Sequence, residues 1–119
     1  MTIEVPVSRK FIFVFVALFA LTLLGACSKG ADSEEALMQA GLDALYTRRD
    51  PNAAVVQFRK VLEQNPTHYG ATYQLASALD AAGKQDEAHP LWEKVLQMAE
   101  ESNDTPTADT ARTRLTHQP

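Results

Sequence analysis

The sequence predicts an all-α protein built from antiparallel helix-turn-helix pairs, with one further helix at the C-terminal end. After Gly30 the chain is rich in Ala, Leu, Gln and Glu, which favour helices, and it has no alternating run typical of a strand. Capping and breaking residues divide this part into five segments. The chain also matches itself at an offset of 34 residues.

The first two helices are predicted from their starting residues. The first spans about residues 33–48, because Ser33 is a suitable N-cap and is followed by acidic residues in the first turn. The second begins after Asp50-Pro51, since aspartate caps a helix and proline suits its first position. It ends before Asn65-Pro66, where the proline interrupts the chain.

The third and fourth helices are separated by a glycine. The third spans about residues 67–82 and stops at Gly83, a residue typical of helix C-termini. The fourth spans about residues 86–101 and contains Pro90, which removes a backbone donor. We therefore expect a mild bend or a later start in the fourth helix.

The fifth helix is predicted to cap the C-terminal end of the domain. It starts at Thr105-Pro106, with Asp109 in its first turn, and ends near Leu115. Ala108, Ala111 and Leu115 fall on one face and supply an apolar stripe. Because the connections are short, neighbouring helices should pack antiparallel.

Several matched pairs carry the internal repeat. At the offset of 34 residues the pairs are Leu45 with Leu79, Ala54 with Ala88, Phe58 with Trp92, Val61 with Val95, and Leu62 with Leu96. A helix-turn-helix unit of this period resembles the tetratricopeptide repeat, and the resemblance covers about residues 35–102. It implies a short α-solenoid (TPR type). Gly41-Leu42 departs from the usual order of a large residue followed by a small one.

The resemblance also implies a partner-binding groove. In tetratricopeptide proteins, the first helix of each repeat lines a groove that holds a peptide or a partner helix. The corresponding residues here are Gln39, Asp43, Tyr46 and Thr47 from the first repeat, and Tyr73, Ser77 and Asp80 from the second. Tyr46 and Tyr73 are the predicted anchors, because tyrosine gives a large contact area at low entropic cost. The alternative is that Tyr73 packs in the core and Tyr46 covers the helix pair.

The N-terminal residues predict a secretory signal. A basic pair, Arg9-Lys10, precedes an apolar segment over residues 11–24, then small residues, then Cys27, the only cysteine. This order resembles the lipobox of bacterial lipoproteins, in which the cysteine is lipidated and becomes the first mature residue. An uncleaved anchor is an alternative, but residues 11–26 fall short of the about 20 that span a bilayer. A plain secreted protein is the other alternative.

These observations predict the organisation of the whole chain. The predicted parts are a signal peptide (1–26), a lipidated tether (27–32), a first repeat (33–66), a second repeat (67–102) and a capping helix with a tail (103–119). In lipoprotein sorting an aspartate after the cysteine retains the protein in the inner membrane. Ser28 stands there in this chain and favours the outer membrane.

Charge and composition argue against several classes of function. Removing Arg9, Lys10 and Glu4 from 11 basic and 15 acidic residues leaves 9 and 14, a net charge near −5. That charge argues against nucleic acid as a partner, since nucleic-acid binding needs basic patches. The three histidines lie far apart without metal-ligand spacing, and the glycines form no phosphate loop. We therefore predict no enzyme and no cofactor beyond a covalent lipid on Cys27.

The leading functional hypothesis is a lipid-anchored adaptor that faces the periplasm and binds a protein or peptide partner in the bacterial envelope. The alternative is a structural subunit of a larger envelope assembly, of the pilus, outer-membrane or cytochrome c maturation type. Repeat arrays generally need about three or more repeats, and this chain has two. The open end of the first repeat would complete such an assembly, and self-association through it also stays open.

Overall fold

The computed structural model describes residues 32–117, and every regular element in this part of the chain is helical. The predicted all-α fold is therefore confirmed, and residues from Ser33 onwards form a compact unit of their own. The five helices are α1 (Glu34–Leu42, continued by a π-helical turn at Asp43–Thr47), α2 (Pro51–Gln64), α3 (Tyr69–Ala81), α4 (Gln85–Glu101) and α5 (Thr105–Thr116).

The first two helices begin at the predicted caps. The Ser33 hydroxyl oxygen accepts a hydrogen bond from the backbone N–H of Ala36 at 3.2 Å. The Asp50 carboxylate accepts one from the N–H of Ala53 at 3.0 Å. Each cap satisfies a backbone donor that the helix itself leaves unpaired, so both start positions are confirmed.

The third helix begins at Tyr69 rather than at Thr67, which corrects the prediction. The Asn65 side chain accepts hydrogen bonds from both the backbone N–H and the hydroxyl of Thr67, at 3.3 and 3.1 Å. These bonds fold residues 65–67 into a turn. His68 then acts as the N-cap, because its Nδ1 accepts from the N–H of Ala71 at 3.0 Å.

The last two helices also differ from the prediction in detail. Helix α4 already begins at Gln85 and runs through Pro90, so a late start is excluded. Asp109 lies outside the first turn of α5, which contains no acidic residue. The carboxylate at that terminus is the N-cap Asp104, which accepts from the N–H of Thr107 at 3.3 Å. The acidic residue at this helix start is therefore Asp104, which precedes α5, and not Asp109 within it.

Within residues 32–117, three residues with left-handed backbone follow the ends of α1, α3 and α4. Arg49 has a φ of 53°, Gly83 of 73° and Asn103 of 58°. At Gly83 the N–H of Lys84 bonds to the carbonyl of Leu79 at 2.8 Å, which closes the end of α3. Glycine adopts this conformation without a side-chain clash, so the predicted stop at Gly83 is confirmed.

The helices pack in sequence, each against the next along the chain. Polar contacts also link every second helix. Tyr46 of α1's π-helical turn bonds to Gln74 of α3, Tyr69 of α3 bonds to the cap of α5, and Arg59 of α2 pairs with Glu87 of α4. Helices α1, α3 and α5 therefore form one layer and α2 and α4 the other. This is the arrangement of a short helical solenoid.

Two aromatic side chains fill the space between the layers. Phe58 of α2 and Trp92 of α4 are both fully buried and are the largest residues of the core. The small Ala54 and Ala88, four residues before them, are fully buried as well. The second helix of each pair can therefore approach the first closely, as the repeated pattern predicts.

The first helix of the first repeat carries one residue more than its counterpart. The N-caps Ser33 and Asp50 of α1 and α2 lie 17 positions apart, whereas His68 and Lys84 of α3 and α4 lie 16 apart. The π-helical turn at Asp43–Thr47 takes up the extra residue, since a π-turn closes over five residues instead of four. Before that turn the repeat offset is 35, and after it 34.

Gly41 shows why the register matters. A Cβ placed on Gly41 would lie 2.5 Å from Cε1 of the Phe58 ring, closer than any side chain tolerates. The aromatic ring therefore occupies the space that a larger residue at position 41 would need. Gly41 corresponds to the small Ala76 of α3 at the offset of 35, so the shift accounts for the small residue, whereas Ala40 stands where α3 has Leu75.

Within residues 32–117, no helix combines the length and hydropathy needed to cross a membrane.

Candidate partner-binding groove

The groove face is defined here as the outer surface of the layer formed by α1, α3 and α5. The tetratricopeptide resemblance predicts that a partner binds on this face. Two polar contacts fix the spacing of its helices. The Tyr46 hydroxyl donates to Oε1 of Gln74 at 3.0 Å. The Arg114 guanidinium of α5 lies 3.8 Å from the carboxylate of Asp80 on α3. These two contacts link α1 to α3 and α3 to α5.

A depression of 170 Å³ lies at the N-terminal end of this layer and is called here the inner depression. All three helices contribute to it, and its lining is mostly apolar and aromatic. The lining residues are Met38, Tyr69, Gly70, Tyr73, Gln74 and Thr107. An apolar hollow edged by an amide and a hydroxyl has the character of a small binding pocket.

Tyr73 is the one predicted groove residue that lines the inner depression. Its ring also packs edge-to-face against Trp92, with the centroids 5.4 Å apart and the planes at 88°. The half-buried Tyr73 therefore contacts the core and also lines the depression, and its role as a partner anchor stays a prediction. Such aromatic pairs add about 0.5–1.5 kcal/mol beyond the area that they bury.

Asp80 and Ser77 occupy the rest of the predicted surface on α3, and both are half-buried. The Asp80 carboxylate accepts a hydrogen bond from Nε1–H of Trp92 at 2.8 Å. It also faces Arg114, whose guanidinium carbon lies 5.9 Å from the Trp92 ring centre. Asp80 therefore satisfies a buried donor and holds α5 against α3.

The predicted residues of the first repeat lie apart from the inner depression. Gln39 and Thr47 are exposed, and Asp43 is ion-paired with Arg48 at 2.9 Å. Tyr46 is 61% exposed, although its hydroxyl is bonded to Gln74. Tyr46 is thus largely exposed to solvent while its hydroxyl contacts α3.

The register shift explains which lining residues the sequence analysis missed. Tyr73 corresponds to Gln39 at an offset of 34 but to Met38 at the offset of 35 that holds before the π-turn. Met38 is the residue that joins Tyr73 in the inner depression, together with Thr107 from α5. The difference in cap spacing, 17 against 16, is visible only in the structure, because His68 and Lys84 are not residues that typically cap helices.

Tyr69 and Asp104 connect α3 to the start of α5. The Tyr69 hydroxyl donates to Oδ2 of Asp104 at 2.8 Å. Hydrogen bonds from Thr107 and Tyr69 lower the pKa of the Asp104 carboxyl, because they stabilise its charged form. Burial raises the pKa of the Tyr69 phenol, and the neighbouring Asp104 charge adds to that rise.

We expect Asp104→Asn to lose a stability advantage that depends on pH. The pKa of Asp104 is lower in the folded than in the unfolded state, so its carboxylate contributes fully to folding stability above the unfolded pKa of about 4. That contribution to stability is lost as the pH falls through the folded-state pKa. Asparagine caps helices about as well as aspartate. The difference in urea midpoint between wild type and Asp104→Asn should therefore shrink below about pH 4. A difference that stays constant under acid would contradict this assignment.

Two of the histidines each lie near one carboxylate. His68 is the N-cap of α3 and lies 3.1 Å from the Glu34 carboxylate, and His89 lies 3.7 Å from Glu93. In the part of the chain that the structure describes, no group of three His, Cys, Asp or Glu side chains could hold a metal ion. Cys27 and the tether at 27–32, apart from Asp32, lie outside the described residues.

Comparison with known proteins gives a family for this architecture. A family model described as the TT21 fifth ARM repeats domain matches residues 33–113. No curated protein and no solved structure matches the chain. The matching model is one of ARM repeats, whereas the sequence pattern resembles tetratricopeptide repeats. Both are stacked arrays of helices, and this is the level at which the two agree.

Proposed function

Because the chain belongs to the family of the TT21 fifth ARM repeats domain, we propose that it is a non-enzymatic scaffold that binds a protein or peptide partner on its groove face. Helical repeat domains commonly bind protein partners along the surface that their stacked helices form. The single observation that carries the proposal is the inner depression, to which α1, α3 and α5 all contribute. A surface assembled from three helices offers a partner more contact than one helix could.

Two tyrosines support this choice of face. Tyr73 lines the depression, and Tyr46 exposes 61% of its surface while Gln74 holds its hydroxyl. Tyrosine and tryptophan dominate binding energy at interfaces, because a rigid ring loses little entropy when it is covered. The Tyr46 hydroxyl in particular is hydrogen-bonded to Gln74 without a partner present.

The finer tetratricopeptide assignment also belongs to this proposal. It is supported by the matched pairs in the second helices, where Ala54 with Ala88 and Phe58 with Trp92 recur at an offset of 34. All four residues are fully buried in equivalent places of the two helix pairs. We propose residues 33–66 and 67–102 as the two repeats, and residues 103–119 as the capping segment.

Crosslinking from the groove face tests the binding proposal. A photoreactive amino acid at the exposed Gln39 of α1 should capture a discrete partner in cells that express the full chain. The same amino acid at the exposed Lys60 of α2, in the other layer, is the matched control. A partner captured from position 60 and not from position 39 would contradict the choice of face.

We further propose that the scaffold is a bacterial lipoprotein anchored through Cys27, facing the periplasm and resident in the outer rather than the inner membrane. The support is the order of basic pair, apolar segment, small residues and cysteine, together with Ser28 after it. A tether of residues 27–32 would reach only about 20 Å when extended. The groove face would then work close to the bilayer surface.

Replacing Cys27 with serine should abolish incorporation of labelled fatty acid and leave an unprocessed precursor, since serine offers no thiol to the lipid transfer. Mass spectrometry of the protein recovered from membranes would show the missing lipid. Ser28→Ala, which changes the neighbouring residue and keeps the thiol, is the matched control. A Cys27→Ser variant that is labelled and processed like wild type would exclude the lipoprotein assignment.

A structural subunit of a larger envelope assembly is the second candidate. One observation favours it, since Val56 on α2 of the first repeat is 50% exposed and no helix among residues 32–117 covers it. A further repeat from another chain, or a second copy, would bury that side chain. Size-exclusion chromatography of the detergent-solubilised chain separates the candidates, because a stable monomer argues against an obligatory subunit.

A further inference from the structure

Two depressions meet at the side chain of Tyr69. One is the inner depression on the groove face. The other measures 290 Å³ and is called here the end depression, because the last turn of α4 forms most of it. Its lining consists of Tyr69, Met98, Glu101 and Ser102. Tyr69 therefore lines both an apolar hollow and one that contains a carboxylate.

Two carboxylates lie near Tyr69, those of Glu101 and Asp104. The Glu101 carboxylate accepts a hydrogen bond from the amide of Gln97 at 2.9 Å, and Asp104 accepts one from Tyr69. Neither carboxylate forms an ion pair with a basic side chain of residues 32–117. The lowered pKa of Asp104 keeps that group charged over a wide pH range.

We propose that the two depressions together bind one segment of a partner protein, an apolar side chain entering the inner depression and a lysine or arginine entering the end depression beside Glu101. The inference rests on the proposed binding function and specifies the chemistry of its partner. Because both depressions contact the same ring and an extended chain rises about 3.3 Å per residue, the two anchor residues should lie one to three positions apart.

The sizes and linings of the two depressions fit these occupants. A cavity of about 150 Å³ can hold a benzene molecule, so 170 Å³ admits one leucine, methionine or phenylalanine side chain. In the end depression, Met98 and Tyr69 offer apolar surface to the methylene stem of a lysine or arginine. Its charged group would then lie near Glu101 and within reach of the Tyr69 ring, where cations are attracted.

The opposite charge is disfavoured at the same place. An aspartate or glutamate in the partner would approach Glu101, which forms no ion pair with a basic side chain of residues 32–117. Like charges brought together at an interface weaken binding strongly. The end depression should therefore select for a basic residue as well as accept one.

Peptide selection on the full chain, held in detergent micelles and attached through its C-terminus, tests the inference. The probe is a display library of short random peptides. We expect the enriched peptides to share an apolar residue with a lysine or arginine one to three positions away. Glu101→Lys should lower the affinity of these peptides about tenfold. The control is Glu63→Lys, which makes the same charge change at an exposed position of α2 and should leave the affinity unchanged.

A second selection removes the ambiguity of a variant that merely folds poorly. Selected on Glu101→Lys, the same library should yield an acidic residue at the position where wild type selects a basic one. The far-UV circular dichroism spectra of Glu101→Lys and Glu63→Lys should match that of wild type, because both positions are exposed. Residue 101 is also the C-terminal residue of α4.

The outcomes separate this inference from the function on which it rests. Peptides that bind the groove face without a basic residue, and that are indifferent to Glu101→Lys, would overturn the inference and leave the proposed function standing. A selection in which no peptide binds the groove face would overturn both.

Discussion

Replacing Trp92 with alanine is expected to destabilise the domain by about 3–5 kcal/mol. Trp92 is the largest fully buried side chain, and its removal leaves a cavity between α3, α4 and α5. It also removes the N–H donor that Asp80 accepts from at 2.8 Å. Small domains are stable by only about 5–15 kcal/mol in total, so this loss approaches the lower end of that range. Urea unfolding followed by far-UV circular dichroism would measure it.

Two further variants provide comparisons for the stability loss of Trp92→Ala. Trp92→Phe keeps an aromatic ring but deletes the donor to Asp80, so its expected loss is smaller, about 1–3 kcal/mol. Val56→Ala shortens a side chain that is half exposed and should cost less than about 0.5 kcal/mol. A loss for Trp92→Ala no larger than that for Val56→Ala would contradict the central place of Trp92 in the core.

Gly41→Ala is expected to destabilise the domain by about 1–3 kcal/mol through overpacking. At an exposed helix position, Gly→Ala would stabilise the protein by roughly 0.5–1 kcal/mol. The sign of the measured stability change therefore shows whether position 41 is tightly packed. The added methyl group would lie 2.5 Å from the ring of Phe58, which is fully buried and has little room to move. The fluorescence of Trp92, the only tryptophan, provides the unfolding signal.

A compensating change identifies the contact. Phe58→Leu shortens the side chain that the new methyl group would meet, so the double variant Gly41→Ala with Phe58→Leu should lose less stability than the two single variants added together. Gly70→Ala on α3 is the control, because its nearest neighbour is the partly exposed His68 ring at 3.3 Å. Strict additivity of the two changes would show that residues 41 and 58 are not in contact.

Stability and binding are coupled at Tyr73. Its ring contacts Trp92 on one side and lines the inner depression on the other. Removing this ring would therefore disturb the core and the binding surface together. Substitutions that separate the two must lie on the solvent side, as Gln39 and Glu101 do.

The anchor and the groove depend on different parts of the chain. The proposed lipidation concerns Cys27, whereas the proposed partner contacts lie between Met38 and Thr107. A Cys27→Ser chain that still binds the selected peptides in detergent would show that the anchor sets location and not recognition.

Local sequence was sufficient to predict the helices. Ser33 and Asp50 begin helices because their side chains accept from backbone N–H groups three residues later. Gly83 ends one because it adopts a positive φ without a clash. These interactions involve residues that are close in sequence, so their pattern is visible before the chain folds. The start of α3 was misplaced because Asn65 and Thr67 form a turn of their own.

The sequence by itself determined the helical class, the helix boundaries to within about two residues and the aromatic residues of the core. The tertiary structure decided the register of α1 and hence the residues of the inner depression. Gly41 must face Phe58, and α1 must still reach the turn before α2, so the extra residue is taken up by the π-turn at Asp43–Thr47. That shift brings Met38, and not Gln39, beside Tyr73. Packing between side chains of different helices imposed it, which is why a single repeat offset could not predict the whole site.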